Sequence, residues 1–245
     1  MNKKLVLFAL IGTLLLGSKS LAAELPASTF YVPIEYDFVD VKPGDWYFSA
    51  AKYAKAQGIF NGNDKGEFNP KSNITRAEMA QILYNIKTTE KTNANSYGVS
   101  DKWYKPAMEY ALSENITSSK IKATDFGAGA QLSRSEVFDM MYSFGLSEGF
   151  AKDISIDTNA LEVFADKAKV QSENKTAITW LVANKILNGQ LNGGKLYINP
   201  SASITRAEVA TIMQNLNDYT SKVKSNIDGK SFVIVVKANP TTGYV

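Results

Sequence analysis

The chain has 245 residues, 44% hydrophobic, 21% charged and 11% aromatic, which is the composition of a folded globular protein. It contains no cysteine and no histidine, which excludes disulfides, thiolate-held zinc, a thiol nucleophile and a Ser-His-Asp triad. The net charge of +3 gives no broad basic field: Lys3, Lys4 and Lys19 lie in the first 22 residues, and without them Lys+Arg falls from 27 to 24, equal to the 24 acids, so nucleic acid is not an expected partner.

Residues 1–22 read as a signal peptide. Lys3 and Lys4 form a positive start, Leu5 to Leu16 is an apolar run broken only by Gly12 and Thr13, and Ser20-Leu21-Ala22 supplies small residues for cleavage. The run is short for a membrane span, and no second long apolar stretch follows, so no membrane span is expected after signal removal. Anything that keeps the protein at the cell is then expected to be non-covalent or protein-mediated.

Two kinds of helix then alternate along the chain. Ala50, Tyr53 and Ala54 make one apolar face, with counterparts at Ala107, Tyr110 and Ala111, and at Ala177, Trp180 and Leu181. Each such helix is followed by a turn-rich connector and then by a second helix with a marked start. Those starts are Thr75-Arg76-Ala77-Glu78, Ser133-Arg134-Ser135-Glu136 and Thr205-Arg206-Ala207-Glu208. A hydroxyl residue followed three positions later by Glu is a capping box, in which each side chain satisfies the other's backbone amide. Behind the boxes, Met79, Ile82, Leu83 and Ile86 make an apolar stripe at i, i+3, i+4 and i+7. Val137, Met140, Met141 and Phe144 repeat it, as do Val209, Ile212, Met213 and Leu216.

The connectors share further residues. Gly58-Ile59-Phe60-Asn61-Gly62 and Phe68-Asn69-Pro70 in the first copy match Lys185-Ile186-Leu187-Asn188-Gly189 and Ile198-Asn199-Pro200 in the third. Gly62 and Gly189 are expected at positive φ. The middle copy has Ser119 in place of Gly62, and Ser172-Glu173-Asn174 stands in the third where the first has Asp45-Trp46-Tyr47.

Phe38-Val39-Asp40-Val41, Asp45-Trp46-Tyr47, Gly62, Phe68-Asn69-Pro70 and Thr75-Arg76-Ala77-Glu78 together resemble an S-layer homology (SLH) motif. The expected repeats are residues 36–88, 97–146 and 160–217, with residues 89–96 and 217–230 as linkers. The resemblance implies an all-α, mainly helical fold: a pseudo-threefold spindle with a central helical bundle and three prongs, monomeric as a module. It also implies a role: anchoring an exported protein to the bacterial cell wall and surface, S-layer associated. The implied partner is a secondary cell-wall polysaccharide, often pyruvylated, and no catalytic residue, cofactor or metal is implied.

By the same resemblance the polysaccharide-binding candidates are Asp45, Trp46, Gly62, Arg76, Trp103, Arg134, Gly189 and Arg206. Arginine offers a planar fork to a ketal carboxylate. A capped helix start adds free amides and partial positive charge beside it. The alternative is an arginine that is solvated or paired with a neighbouring acid, and Trp46 and Trp103 can pack a prong or meet a sugar face. Trp180 falls on the core face of its helix, as do Tyr53 and Tyr110.

After Leu216 the chain turns polar, and Ser231 to Lys237 reads as a strand, a short C-terminal β segment. The following Asn239-Pro240-Thr241-Thr242-Gly243-Tyr244 resembles an inhibitory loop of the chagasin-type cysteine-protease inhibitors. The stretch matches only the start of such a domain, and one strand cannot bury its own faces. Inhibition of a papain-like protease is thus an expectation for an intact domain and not for this stretch.

Overall fold

The computed structural model describes residues 38–87, 102–118, 121–151 and 159–226. The expected signal segment, 89–96 linker, 231–237 strand and 239–244 inhibitory loop, together with Ser119, lie outside the described residues.

The chain is mainly helical, as expected. Six α-helices occur in the described residues: α1 (Phe48–Ala56), α2 (Arg76–Lys87), α3 (Lys105–Ser113), α4 (Arg134–Ser147), α5 (Ser172–Ala183) and α6 (Arg206–Asn226). The first helix of each copy packs on the second helix of the copy before it: α3 on α2, α5 on α4 and, closing the circle, α1 on α6. The small residues Ala50, Ala51 and Ala54 in α1 and Ala107 and Ala111 in α3 are fully buried, which lets the helices approach closely.

Each first helix ends the same way. Gly58, Asn115 and Lys185 take the left-handed conformation, with φ of 65°, 54° and 59°. The next residue, Ile59, Ile116 or Ile186, donates its amide back to Ala54, Ala111 or Leu181 at 2.8, 2.8 and 2.9 Å. Each isoleucine is buried, so the chain reversal also seals the core.

All three second helices start on formed capping boxes. Thr75, Ser133 and Thr205 donate their amides to Glu78, Glu136 and Glu208 at 2.9, 2.8 and 2.9 Å. The returning bonds from the three Glu amides to the hydroxyls measure 3.3, 3.3 and 3.4 Å. Each such cap is worth roughly 0.5–2 kcal/mol.

Two features depart from the sequence reading. The connector of the third copy holds a hairpin, β1 (Gln190–Asn192) antiparallel to β2 (Lys195–Tyr197), with Gln190 opposite Tyr197 and Asn192 opposite Lys195. Its two-residue turn is Gly193-Gly194, both at positive φ, as this tight turn requires. The second departure is that α6 runs to Asn226, so residues 217–226 of the expected 217–230 linker are helix. The cause is packing: Thr220 is buried, and Tyr219 lies edge-on to Trp180 at 5.6 Å. Trp180 is core, as expected, at 1% exposure.

Candidate functional site

The three helix starts form a closed ring. The amides of Arg76 and Ala77 donate to Ala130 and Ala128 of the second copy, at 2.9 and 3.0 Å. Those of Arg134 and Ser135 donate to Ala202 and Pro200 of the third, at 2.8 and 3.0 Å. Those of Arg206 and Ala207 return to Ser72 and Pro70 of the first, at 2.9 and 3.1 Å. The expectation that these helix-start amides are free to meet a ligand is therefore corrected: a carbonyl of the neighbouring copy occupies each of them.

The arginine side chains follow the same rotation. Arg76 donates to the Phe126 carbonyl at 2.8 Å and pairs with Glu136 at 3.4 Å. Arg134 donates through Nε to the Ile198 carbonyl at 2.6 Å and through Nη1 to Glu208. Arg206 donates through Nε to the Phe68 carbonyl at 2.8 Å and through Nη1 to Glu78 at 2.7 Å, with its guanidinium 4.6 Å from the Phe60 ring centre. Each Glu thus serves its own cap with Oε2 and the preceding copy's arginine with Oε1. Burial pushes the pKa of Arg134 and of Arg206 down, while Glu208 and Glu78 respectively oppose the shift. Both stay charged, since an arginine starts so high. Of the two sequence readings, pairing with an acid is the one the geometry shows; Arg134, at 2% exposure, presents no open fork.

The other candidates divide. Asp45 ties its own turn, accepting from the Lys42 amide at 2.7 Å. Gly62 and Gly189 have φ of 78° and 76°, as expected, and lie against Phe38 and Phe164 so closely that a Cβ would collide. These phenylalanines open the segments Phe38-Val39-Asp40 and Phe164-Ala165-Asp166. The Asp40 carboxylate accepts from the amides of Phe68 and Asn69 at 2.7 and 2.8 Å. Asp166 accepts from those of Ile198 and Asn199, both at 2.8 Å. Trp46 and Trp103 instead stand out from the surface at 67% and 63% exposure. Each is steadied edge-on by the next tyrosine, at 5.3 and 5.5 Å.

One groove, of about 760 Å³, brings together candidates from all three copies: Trp46 of the first, Arg134 of the second and Gly189 of the third. Asp45, Gly62, Arg76, Trp103 and Arg206 do not line it. Its floor is Ile186, Leu187 and Ile212, and its polar wall carries Asn188, Gln190, Asn192, Asn199 and Asn215. A wired chain crosses it: Asn199 donates to Gln190, which donates to Glu208, which also takes the Arg134 bond. Asn215 is held by the Ile186 carbonyl at 3.1 Å. The sequence reading missed these amides, although the Ile-Phe-Asn-Gly and Ile-Leu-Asn-Gly pairing marked Asn61 and Asn188.

The third copy breaks the pattern at the matching place. Glu173 sits in the first turn of α5, and Asn174 donates to Asp139 of α4. Burial, reinforced by Glu173 and Glu136, raises the Asp139 carboxyl to about 6 against the Asn174 bond.

Residues 37–80 and 163–210 match the S-layer homology domain. The surface-layer 125 kDa protein of Lysinibacillus sphaericus is 33% identical over 157 residues, 63% of this chain and 13% of that protein. The S-layer protein sap of Bacillus anthracis is 35% identical over 75 residues, 28% of this chain and 9% of that protein. Cell surface glycoprotein 1 of Acetivibrio thermocellus is 39% identical over 54 residues, 22% of this chain and 2% of that protein. The chain spans only a small fraction of the length of these relatives. Two segments of the chain thus match the S-layer homology domain, and the chain is similar to S-layer and cell-surface proteins, in keeping with a cell-surface, S-layer-associated location.

Proposed function

We propose that this chain anchors an exported protein non-covalently to the bacterial wall by binding secondary cell-wall polysaccharide in grooves between its copies. The middle copy, residues 97–146, acts in this reading as a diverged third SLH repeat. Its support is the ring, in which Arg134, Ser135 and Glu136 make the same classes of bond as their counterparts in the two matched copies. The role is binding rather than catalysis, and the module works as a monomer.

The observation that carries the reading is the groove itself. An exposed tryptophan, a rank of amides and a packed apolar floor meet where three copies converge. An indole face suits the apolar side of a sugar ring, and amides can both donate to and accept from hydroxyls. The test is sedimentation of the chain from residue 23 onward with native Gram-positive cell walls and with walls stripped of secondary polymer. Binding to native walls alone is expected. Equal binding to both, or to neither, refutes the reading. Trp46→Ala is the informative variant, because an arginine change would disturb the ring as well as the groove.

A further inference from the structure

Three Asn-Gly pairs lie in the described residues: Asn61-Gly62, Asn188-Gly189 and Asn192-Gly193. Such a pair carries its own reaction. The glycine amide nitrogen can attack the asparagine side-chain carbonyl, because glycine has no Cβ to shield it. Asparagine is heat-labile for this kind of reason. Among the described residues none of the three glycine amides donates to a backbone carbonyl, so hydrogen bonding does not separate the pairs. What separates them is the freedom of the backbone to bring nitrogen and carbonyl together.

Two pairs are held. Gly62 sits between the Phe38 ring and the Glu67 carbonyl, so tightly that a Cβ would lie 2.9 Å from the ring and 3.0 Å from the oxygen. The Asn61 carbonyl accepts from the Lys55 ammonium at 2.7 Å. Gly189 is wedged in the same way between Phe164 and the Tyr197 carbonyl. Both pairs follow buried residues, Phe60 and Leu187, whose amides are tied to Ala54 and Leu181 at 3.1 and 3.0 Å. Asn192-Gly193 is different. It opens the hairpin turn, and Asn192, Gly193, Gly194 and Lys195 are all exposed. A Cβ on Gly193 or Gly194 would meet nothing within 4 Å. Two strands of three residues are a marginal unit, and their tip opens at little cost.

We propose that Asn192 is a site of spontaneous deamidation in the folded protein. The Gly193 nitrogen bonds to Cγ of Asn192 and gives up its proton, and the Cγ–Nδ2 bond breaks as ammonia leaves, closing a succinimide ring. Water then opens the ring. Cleavage of the new Cγ–N bond leaves aspartate. Cleavage of the original peptide bond leaves isoaspartate, with the chain running through Cβ and Cγ. Both products put a carboxylate on the wall of the groove, which Asn192 lines. Isoaspartate also inserts a methylene at the residue paired with Lys195. The inference stands whatever the groove binds.

The test is to hold the chain at mildly alkaline pH, once folded and once in urea, and to follow each asparagine by tryptic peptide mapping with digestion in mildly acidic buffer. Conversion adds about 1 Da. Asn61 falls in the peptide 56–65, and Asn188 and Asn192 share the peptide 186–195, where electron-transfer fragmentation assigns the gain and identifies isoaspartate. In urea the three should convert at rates within about threefold of one another. In the folded chain Asn192 should keep its unfolded rate within about threefold, while Asn61 and Asn188 slow by about tenfold or more, since they react only after local opening. Asn192→Gln, at an exposed position that leaves the fold intact, should remove most of the gain from the peptide 186–195. Protection of Asn192 in the folded chain to the same degree as Asn61 overturns the inference. So does conversion of Asn61 or Asn188 as fast as Asn192 while circular dichroism shows the chain folded.

Discussion

Replacing Arg134 by methionine keeps much of the side chain's length and removes its charge and donors. The consequence follows from what it leaves behind. Glu208 has a side-chain exposure of 16% and would lose its cation, and the Ile198 carbonyl would lose its 2.6 Å donor. Stranding one partner of a buried pair costs about 3–5 kcal/mol. For a folded region of this size, that is a fall in Tm of roughly 10 °C. The three pairs should rank by burial. Arg206→Met exposes a Glu78 that is already 31% accessible and should cost about 2 kcal/mol. Arg76→Met frees a Glu136 that is 49% accessible at 3.4 Å and should cost under about 1 kcal/mol. Urea unfolding followed by far-ultraviolet circular dichroism reads all three. The double variant Arg134→Met, Glu208→Gln retains a side chain able to close the capping box and removes the stranded charge, so it should recover most of the loss. If Arg134→Met costs less than Arg76→Met, or the double variant is no more stable than the single one, the ring of buried pairs is not what joins the copies.

Further expectations follow from other contacts. Gly189→Ala forces a Cβ against Phe164 and within 3.0 Å of the Tyr197 carbonyl at a φ of 76°, and should lower stability by about 2 kcal/mol or more in a thermal melt. Gly62→Ala meets Phe38 at 2.9 Å and should behave alike. Asp139 has its pKa raised to about 6 from 3.8, so the folded chain holds this proton more tightly than the unfolded one. Stability should therefore fall as pH rises from about 4 to about 6 and level off above, and Asp139→Asn should flatten that slope and gain about 1 kcal/mol at pH 7, discounted for partial exposure. Tyr219→Ala uncovers Trp180 and should cost about 1–2 kcal/mol, measured by urea unfolding; an unaffected variant would mean that the end of α6 does behave as a linker.

What the sequence disclosed was local. A capping box lies within four residues, and the apolar stripe behind it within eight, so three copies in register could be read directly from Thr75, Ser133 and Thr205 onward. The partners of the arginines could not be read that way. Arg206 and Glu78 are 128 positions apart, and nothing in their spacing shows that a Glu already committed to its own cap has a second oxygen for another copy. The end of α6 was hidden by polarity. Asn217 and Asp218 look like a linker, yet Tyr219 and Thr220 continue the stripe of Leu216, and packing on Trp180 outweighs the polar residues. The hairpin was announced by Gly193-Gly194 between two short runs, a signal that the surrounding turn residues obscured.

The ring and the groove are one arrangement viewed from two sides. Closing the circle requires each arginine to reach the next copy's glutamate, and at the junction of the second and third copies that pairing also forms part of the groove lining. The bond that joins Arg134 to Glu208 therefore removes the charge that a free Arg134 would have offered to a ligand. It also makes the site a property of the whole triplet, because Trp46, Arg134 and Gly189 come from different copies and meet only when the circle is closed. A single copy taken alone would leave its helix-start amides, its arginine and its capping glutamate without their cross-copy partners, and would carry only one part of the groove. Divergence can then be tolerated unevenly. Glu173 of the third copy and Asp139 of the middle copy alter the chemistry at one junction, while Arg134 and Glu136 of that middle copy remain fixed by the circle they close.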